Sequence, residues 1–85
     1  MYTGGEEEMW NEEMTQSVDR YERMIQLKAE WYFDIHELEN IFDFYFNQKK
    51  FQAAREVLKL GFRIHPESPA LKLKESQVLI ERGEA

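Results

Sequence analysis

Apolar residues between residues 35 and 66 recur at the three- and four-residue spacing of two amphipathic helices separated by a short polar stretch. The residues that share a face of the first helix are Leu38, Ile41, Phe42 and Tyr45. The residues that share a face of the second helix are Phe51, Ala54, Leu58 and Gly61. Pro66 ends the second helix, because proline disfavours helical geometry at the residue before it.

A third apolar stripe runs through the N-terminal part of the chain. Its members recur at three- and four-residue steps and are Trp10, Met14, Val18, Tyr21, Ile25 and Tyr32. The pattern predicts an amphipathic helix over roughly residues 9–31, within an N-terminal segment of residues 9–33. Residues 1–8 have no periodicity and include a glycine pair, so we expect them to be disordered.

Asp34 marks the predicted boundary between the N-terminal helix and the next one. It occupies an N-cap position, and Glu37 three residues later completes the spacing of a capping box. No glycine or proline lies there, so one continuous helix through residues 31–34 is the alternative. Apolar side chains cover an arc of about 200° in residues 35–47. We therefore expect this helix to be packed on two sides, by the N-terminal helix and by residues 51–65.

Two further features concern the C-terminal half. Gly61 lies inside a helix, where glycine costs about 1 kcal/mol relative to alanine, and we expect it to mark the close approach of another helix. Ser68 and Pro69 predict a new helix start, with serine as N-cap and proline at the first helical position. In that helix Leu73 and Ile80 face away from the residues predicted to face the core, which are Leu71, Val78 and Leu79. No strand-like alternation occurs anywhere, so the predicted fold class is all-α.

The order of residues in the central helix pair resembles the tetratricopeptide repeat (TPR) family. The resemblance rests on Leu38-x2-Ile41-Phe42-x2-Tyr45, then Ala54-x3-Leu58, then Pro66. It implies an N-terminal helix, a TPR-like antiparallel hairpin over residues 34–67, and the first helix of a second, incomplete repeat (or a capping helix) over residues 68–85. The whole is similar to the opening segment of longer bacterial TPR proteins. An unrelated three- or four-helix bundle is the alternative fold.

Three positions depart from the TPR pattern. Phe42 stands where the family usually has a small residue, so the first helix pair packs less closely there. Lys72 and Glu75 stand where a second repeat has large apolar residues. The second copy is therefore either degenerate or a cap.

The TPR resemblance implies a non-enzymatic scaffold that binds a peptide or protein on the concave surface lined by the first helix of each repeat. That surface continues onto Leu73 and Ile80, and its polar residues here are His36, Glu39, Asn40, Asp43, Asn47 and Gln77. Glu39 and Asp43 occupy places where carboxylate-binding TPR domains carry lysine and asparagine. An acidic groove favours a partner with Lys or Arg side chains. The alternative is a solvated helix face without a ligand.

The unfinished second repeat leaves Leu73 and Ile80 without obvious cover inside the chain, and exposed apolar patches mark interfaces. We therefore expect self-association, as a homodimer, through these open ends or through the N-terminal helices. The predicted interface residues are Trp10, Met14, Val18, Tyr21, Leu73 and Ile80. The alternative function is a helical oligomerisation element, a short coiled coil or bundle without a peptide groove.

Composition and charge limit the classes of partner and the cellular location that we expect for this chain. Residues 1–46 carry 12 acidic and 3 basic residues, whereas residues 47–74 carry 2 acidic and 7 basic ones, and the net charge is −6. That charge, with no aromatic residues between the basic ones, argues against a nucleic-acid partner. The absence of cysteine excludes disulfides and thiolate zinc sites. No signal peptide and no membrane-spanning run is present, so we expect a cytoplasmic protein without a membrane partner.

No motif indicates catalysis, a cofactor or a metal. Residues 36–40 miss the zinc-protease motif H-E-x-x-H by one position, because Asn40 replaces the second histidine. No glycine-rich phosphate loop is present, and the acidic residues lack the alternating spacing of a calcium loop. We therefore expect a protein that is not an enzyme and that holds no cofactor.

Overall fold

Four α-helices make up most of the computed structural model, which describes residues 12–81. The helices are α1 (Glu12–Leu27), α2 (Ile35–Asn47), α3 (Phe51–Ile64) and α4 (Pro69–Glu81). No strand occurs within residues 12–81, and the predicted all-α class is confirmed. The predictions for residues 1–8, for Trp10 and for residues 82–85 lie outside the described residues.

Two predicted helix starts are confirmed by their hydrogen bonds. The amide of Glu37 donates to Asp34 Oδ1 at 2.8 Å, and the amide of Asp34 donates to Glu37 Oε1 at 3.1 Å. These reciprocal bonds form the predicted capping box of α2. At the start of α4 the amide of Leu71 donates to the hydroxyl of Ser68 at 3.3 Å, with Pro69 as the first helical residue.

The end of α1 differs from the sequence prediction. The helix stops at Leu27 rather than near residue 31, and Lys28 adopts a left-handed conformation with φ of 56°. The amide of Lys28 donates to the Ile25 carbonyl and that of Ala29 to the Met24 carbonyl, both at 3.1 Å. This pair of bonds is a Schellman motif, which usually has glycine at the left-handed position. Since lysine stands there, the sequence carries no glycine signal for the helix end.

The end of α2 has the same Schellman motif, again with a lysine in the left-handed conformation. Lys49 has φ of 63°, and the amides of Lys49 and Lys50 donate to the carbonyls of Phe46 and Tyr45. A left-handed backbone costs a residue with a Cβ atom roughly 1–2 kcal/mol. Both lysines therefore hold strained conformations that the surrounding packing must compensate.

We expect Lys49→Gly to raise the free energy of unfolding by about 0.5–1 kcal/mol. Relief of the left-handed strain exceeds the entropy, about 0.4–1 kcal/mol, that glycine adds to the unfolded chain. Urea unfolding measures the difference. Lys49→Ala is the matched control, because it removes the side chain and keeps the strain. Equal stability of the two variants would contradict this explanation.

The hydrophobic core is built around α2, which contacts all three other helices. Leu38, Ile41 and Phe42 have no exposed surface. The predicted packing of α2 by the N-terminal helix and by residues 51–65 is confirmed, and α4 adds a third neighbour. The helices α1 and α3 do not contact each other at the level of their backbones, whereas each of them contacts α2 at that level.

Contacts at three levels show that α2 and α3 form an antiparallel hairpin. Near the connecting residues 48–50, the rings of Phe46 and Phe51 meet edge to face at 5.4 Å between centroids. In the middle, Gly61 faces the side chain of Leu38. At the far end His65 Nε2 lies 2.9 Å from the carbonyl oxygen of Phe33, just before α2 begins.

The last helix, α4, lies along both members of the hairpin. Near its start Leu71 contacts Gly61 of α3, and in its middle Lys74 pairs with Asp43 of α2. Near its end Ile80 lies beside Phe46, the last aromatic residue of α2. These contacts advance together along both helices, so α4 runs parallel to α2 and antiparallel to α3.

Residues 28–34 fold back along α1 before α2 begins. Arg20 of α1 holds this connection: its Nη2 donates to the Tyr32 carbonyl at 2.9 Å, and its Nη1 donates to Glu37 Oε2 at 3.3 Å. The guanidinium also lies 4.4 Å from the ring centroid of Phe33, a cation–π contact with a fully buried side chain. The predicted stripe members Ile25 and Tyr32 are more than half exposed, and Tyr32 lies outside the helix because α1 ends at Leu27.

Gly61 marks the predicted close approach. A Cβ atom at this position would lie 2.9 Å from Leu71 Cδ1 and 3.4 Å from Leu38 Cδ1. Leu71 is fully buried, so its side chain has little room to move. The gain in helix propensity from alanine is about 1 kcal/mol, while overpacking a core typically costs about 1–3 kcal/mol.

We therefore expect Gly61→Ala to lower the free energy of unfolding in the wild-type background by about 1 kcal/mol. In a Leu71→Val background the Cδ atoms are absent, and the same substitution should become neutral or stabilising through helix propensity. Chemical unfolding of the four proteins in this double-mutant cycle measures the sign change. An equal loss in both backgrounds would show that Leu71 is not what requires glycine.

Candidate interaction surface

An exposed apolar surface lies where α2 and α4 run side by side. We name it the α2/α4 face, and its residues are Glu39, Asp43, Phe46, Leu73, Gln77, Ile80 and Glu81. Leu73 is 62% exposed and Ile80 is 66% exposed, although both are large aliphatic residues. Beside them a shallow cavity of about 330 Å³ is lined by Phe46, Gln77, Ile80 and Glu81. The face thus combines an apolar ridge with a small pocket.

The charge on this face is partly compensated within the chain. Lys74 Nζ donates to Asp43 Oδ1 at 3.0 Å, and the ammonium lies 5.6 Å from the ring centroid of Phe42. The Lys74 side chain is only 17% exposed, so this pair is better shielded from water than most surface ion pairs. Glu39 is half-buried and forms no ion pair with any residue of the described range 12–81.

The predicted concave-surface residues do not all meet at one place. Asp43 lies beside α4 through its pair with Lys74, and Gln77 lines the cavity with Phe46. His36 instead lies beside α1, with its Nε2 3.4 Å from Glu13 Oε2. Half-buried Asn40 and exposed Asn47 lie within about 60° of both His36 and Asp43 around α2, so these residues share one side of the helix although His36 and Asp43 contact different neighbouring helices.

The predicted self-association residues fall into two environments. Met14, Val18 and Tyr21 are buried against the chain's own core and have at most 9% of their surface exposed. Leu73 and Ile80 remain exposed on α4. Met14, Val18 and Tyr21 therefore have cover inside the single chain, whereas Leu73 and Ile80 do not.

The structure adds residues to the surface that the sequence did not single out. Lys74 neutralises Asp43, although the two residues are 31 positions apart in the sequence, and no local sequence pattern predicts this pair. Phe46 belonged to a broad apolar arc, and only the placement of α4 makes it the floor of a cavity. Ile25, Leu27 and Tyr32, at and after the end of α1, are also exposed large apolar residues.

No site for metal chemistry appears in the described chain. Residues 12–81 contain no cluster of three or more side chains that could hold a metal ion. His36 and Asn40, which carry the incomplete zinc motif, lie on a helix face with Glu13 as the only charged partner seen within these residues.

Within residues 12–81, the ionisable groups with displaced pKa values are two tyrosines at the α1–α2 contact. Tyr45 donates its hydroxyl proton to Glu22 Oε2 at 2.6 Å. Burial, followed by this hydrogen bond and the charge of Glu22, raises the pKa of Tyr45 far above 10. Burial, with the charges of Glu56 and Glu22, raises the pKa of Tyr21 to about 12. Both phenols therefore stay neutral at physiological pH and serve as packing groups.

We expect Tyr45→Phe to be destabilised by about 1 kcal/mol at pH 8, since a hydrogen bond to a partly solvated carboxylate is lost. Because the folded-state pKa is raised, the contribution of Tyr45 is fully present below pH 10 and is lost as the pH rises through the folded pKa. Urea unfolding from pH 8 to 11.5 should show the gap between wild type and Tyr45→Phe narrowing. The exposed Tyr32→Phe is the control and should track wild type; a gap independent of pH would contradict the prediction.

Comparison of the chain with protein-family models, with curated proteins and with solved structures gave no match. Within the described residues, no helix has the length and apolar character needed to cross a membrane. Function must therefore be inferred from the surface itself.

Proposed function

We propose that this chain is a non-enzymatic protein–protein interaction module whose α2/α4 face binds a peptide or protein. The observation that carries the proposal is the exposure of Leu73 and Ile80 beside the cavity floored by Phe46. Exposed aliphatic side chains next to a pocket are a common feature of recognition sites for an anchoring side chain. A cytoplasmic location accompanies the proposal as a prediction from the sequence.

The helix arrangement supports a TPR-like organisation. The α2–α3 hairpin is antiparallel, α4 runs parallel to α2, and Gly61 lies where α4 approaches α3 most closely. Stacking in which each new helix covers the preceding hairpin is the principle of helical repeat proteins. One departure is the seven-residue connection before α2, which folds back along α1 instead of forming a tight turn.

The packing of α1 argues against the alternative function, an oligomerisation element without a peptide groove. That alternative requires the α1 stripe to pair with another chain, yet Val18 and Tyr21 pack into the core of their own chain. A coiled coil through these residues would have to open the α1–α2 contact, including the Tyr45–Glu22 hydrogen bond. The interaction-module proposal requires no such opening.

We expect selection from a random peptide library on the immobilised chain to yield binders that depend on the α2/α4 face. Leu73→Ser removes an apolar contact that contributes about 1.5–3 kcal/mol when fully buried, and should weaken the selected peptides more than tenfold. Leu27→Ser is the matched control, because Leu27 is 63% exposed but lies on α1. Binders that tolerate Leu73→Ser as well as Leu27→Ser would contradict the assignment of the site to this face.

A second candidate function is self-association through the same face. The observation that favours it is again the exposure of Leu73 and Ile80, since an exposed apolar stripe on one copy suits an identical stripe on another. In this case the interface would be formed by α4 alone, because the α1 part of the predicted interface is already buried.

A further inference from the structure

We infer that the α2/α4 face takes an amphipathic helical segment with Lys or Arg beside its apolar anchors. The inference rests on the proposed function and adds the chemistry of the partner. It follows from the spacing of the apolar residues and from the sign of the charge along the edge that α2 and α4 share.

The spacing of the apolar residues on the face matches the spacing of apolar residues along one side of a partner helix. Leu73 and Ile80 are seven residues apart on α4, so their side chains lie about 10.5 Å apart along one stripe. A partner helix with apolar residues at positions i, i+3 or i+4, and i+7 presents anchors over the same length. The cavity of about 330 Å³ next to Ile80 is large enough for one aliphatic or aromatic side chain.

The acidic edge of the face favours a partner with positively charged side chains. Glu39 lies toward one end of the shared edge and Glu81 toward the other, with Asp43 between them. Lys74 already holds Asp43, and the remaining acidic groups have no ion pair within residues 12–81. Lys72 lies about 100° around α4 from Leu73, on the side away from α2, and does not compensate this edge.

A second exposed surface shows no preference for a charge of one sign. The groove between α1 and α3, about 260 Å³, mixes Lys28, Lys59 and Arg63 with Glu30 and Glu56. Two of its basic residues are paired internally, with Arg63 Nη2 2.9 Å from Glu30 Oε2 and Lys59 Nζ 3.4 Å from Glu56 Oε2. The same pairs compensate two basic residues of α3, so this helix is a weak candidate for binding phosphate groups.

The test uses two synthetic helical peptides with identical leucine spacing, one with lysines and one with glutamates beside the leucines. Binding to the full chain is measured by fluorescence anisotropy at low and high salt. We expect the lysine peptide to bind more tightly, and its affinity to fall at high salt because exposed charges are screened. Glu39→Gln together with Glu81→Gln should weaken this peptide by about tenfold.

The matched control is Asp19→Asn together with Glu67→Gln, which makes the same change in net charge at exposed positions elsewhere. This control variant should keep the wild-type affinity, and Leu73→Ser should bind neither peptide. Equal binding of both peptides, still dependent on Leu73, would overturn the inferred chemistry and leave the proposed interaction face intact. Binding that is indifferent to Leu73→Ser would overturn both.

Light scattering on wild type and Leu73→Ser tests whether a second copy of the chain, rather than a peptide, occupies the α2/α4 face. A wild-type monomer at the concentrations used for binding is the expected result. A wild-type dimer that Leu73→Ser converts to a monomer, and that the lysine peptide does not dissociate, would show a second copy on the face and overturn the inference.

Discussion

The burial of α2 is the interaction on which the rest of this structure depends. Its residues Leu38, Ile41 and Phe42 have no exposed surface, and α2 contacts each of the other three helices, whereas the backbone of α1 contacts neither α3 nor α4. A chain of 85 residues has little apolar area to spare, so a single helix shared by all neighbours is an economical core. The loss of contacts on any side of α2 would therefore affect the whole fold.

This arrangement also explains why one apolar surface stays open. α4 covers α2 and α3 with Leu71 and Val78, and no further helix within residues 12–81 covers its opposite stripe. In stacked helical proteins the next element would bury that stripe. Here the stripe meets a half-buried acidic edge from α2, and this combination of apolar and charged surface supports a role in binding another protein.

The connection before α2 shows how tertiary contacts can override local propensity. Lysine at a left-handed helix end is unfavourable in isolation, yet residues 28–34 are held by Arg20, by the burial of Phe33 and by the capping box of α2. These contacts stabilise a helix end that neither glycine nor proline specifies. The same reasoning applies to Lys49, whose strain is offset by the packing of the α2–α3 hairpin.

The sequence by itself indicated the helical periods, the caps at Asp34 and Ser68, the two-sided burial of α2 and the tight approach at Gly61, because the signal for each lies within one short stretch of the chain, even where the partners lie far apart in sequence. The tertiary structure decided where α1 ends, which apolar stripes find cover and which charges are paired. Asp43 and Lys74 meet across 31 positions, and Val18 is buried while Ile80 is exposed, although both belong to similar apolar stripes. Such outcomes depend on which helices lie next to each other, and periodicity within one helix carries no information about its neighbours.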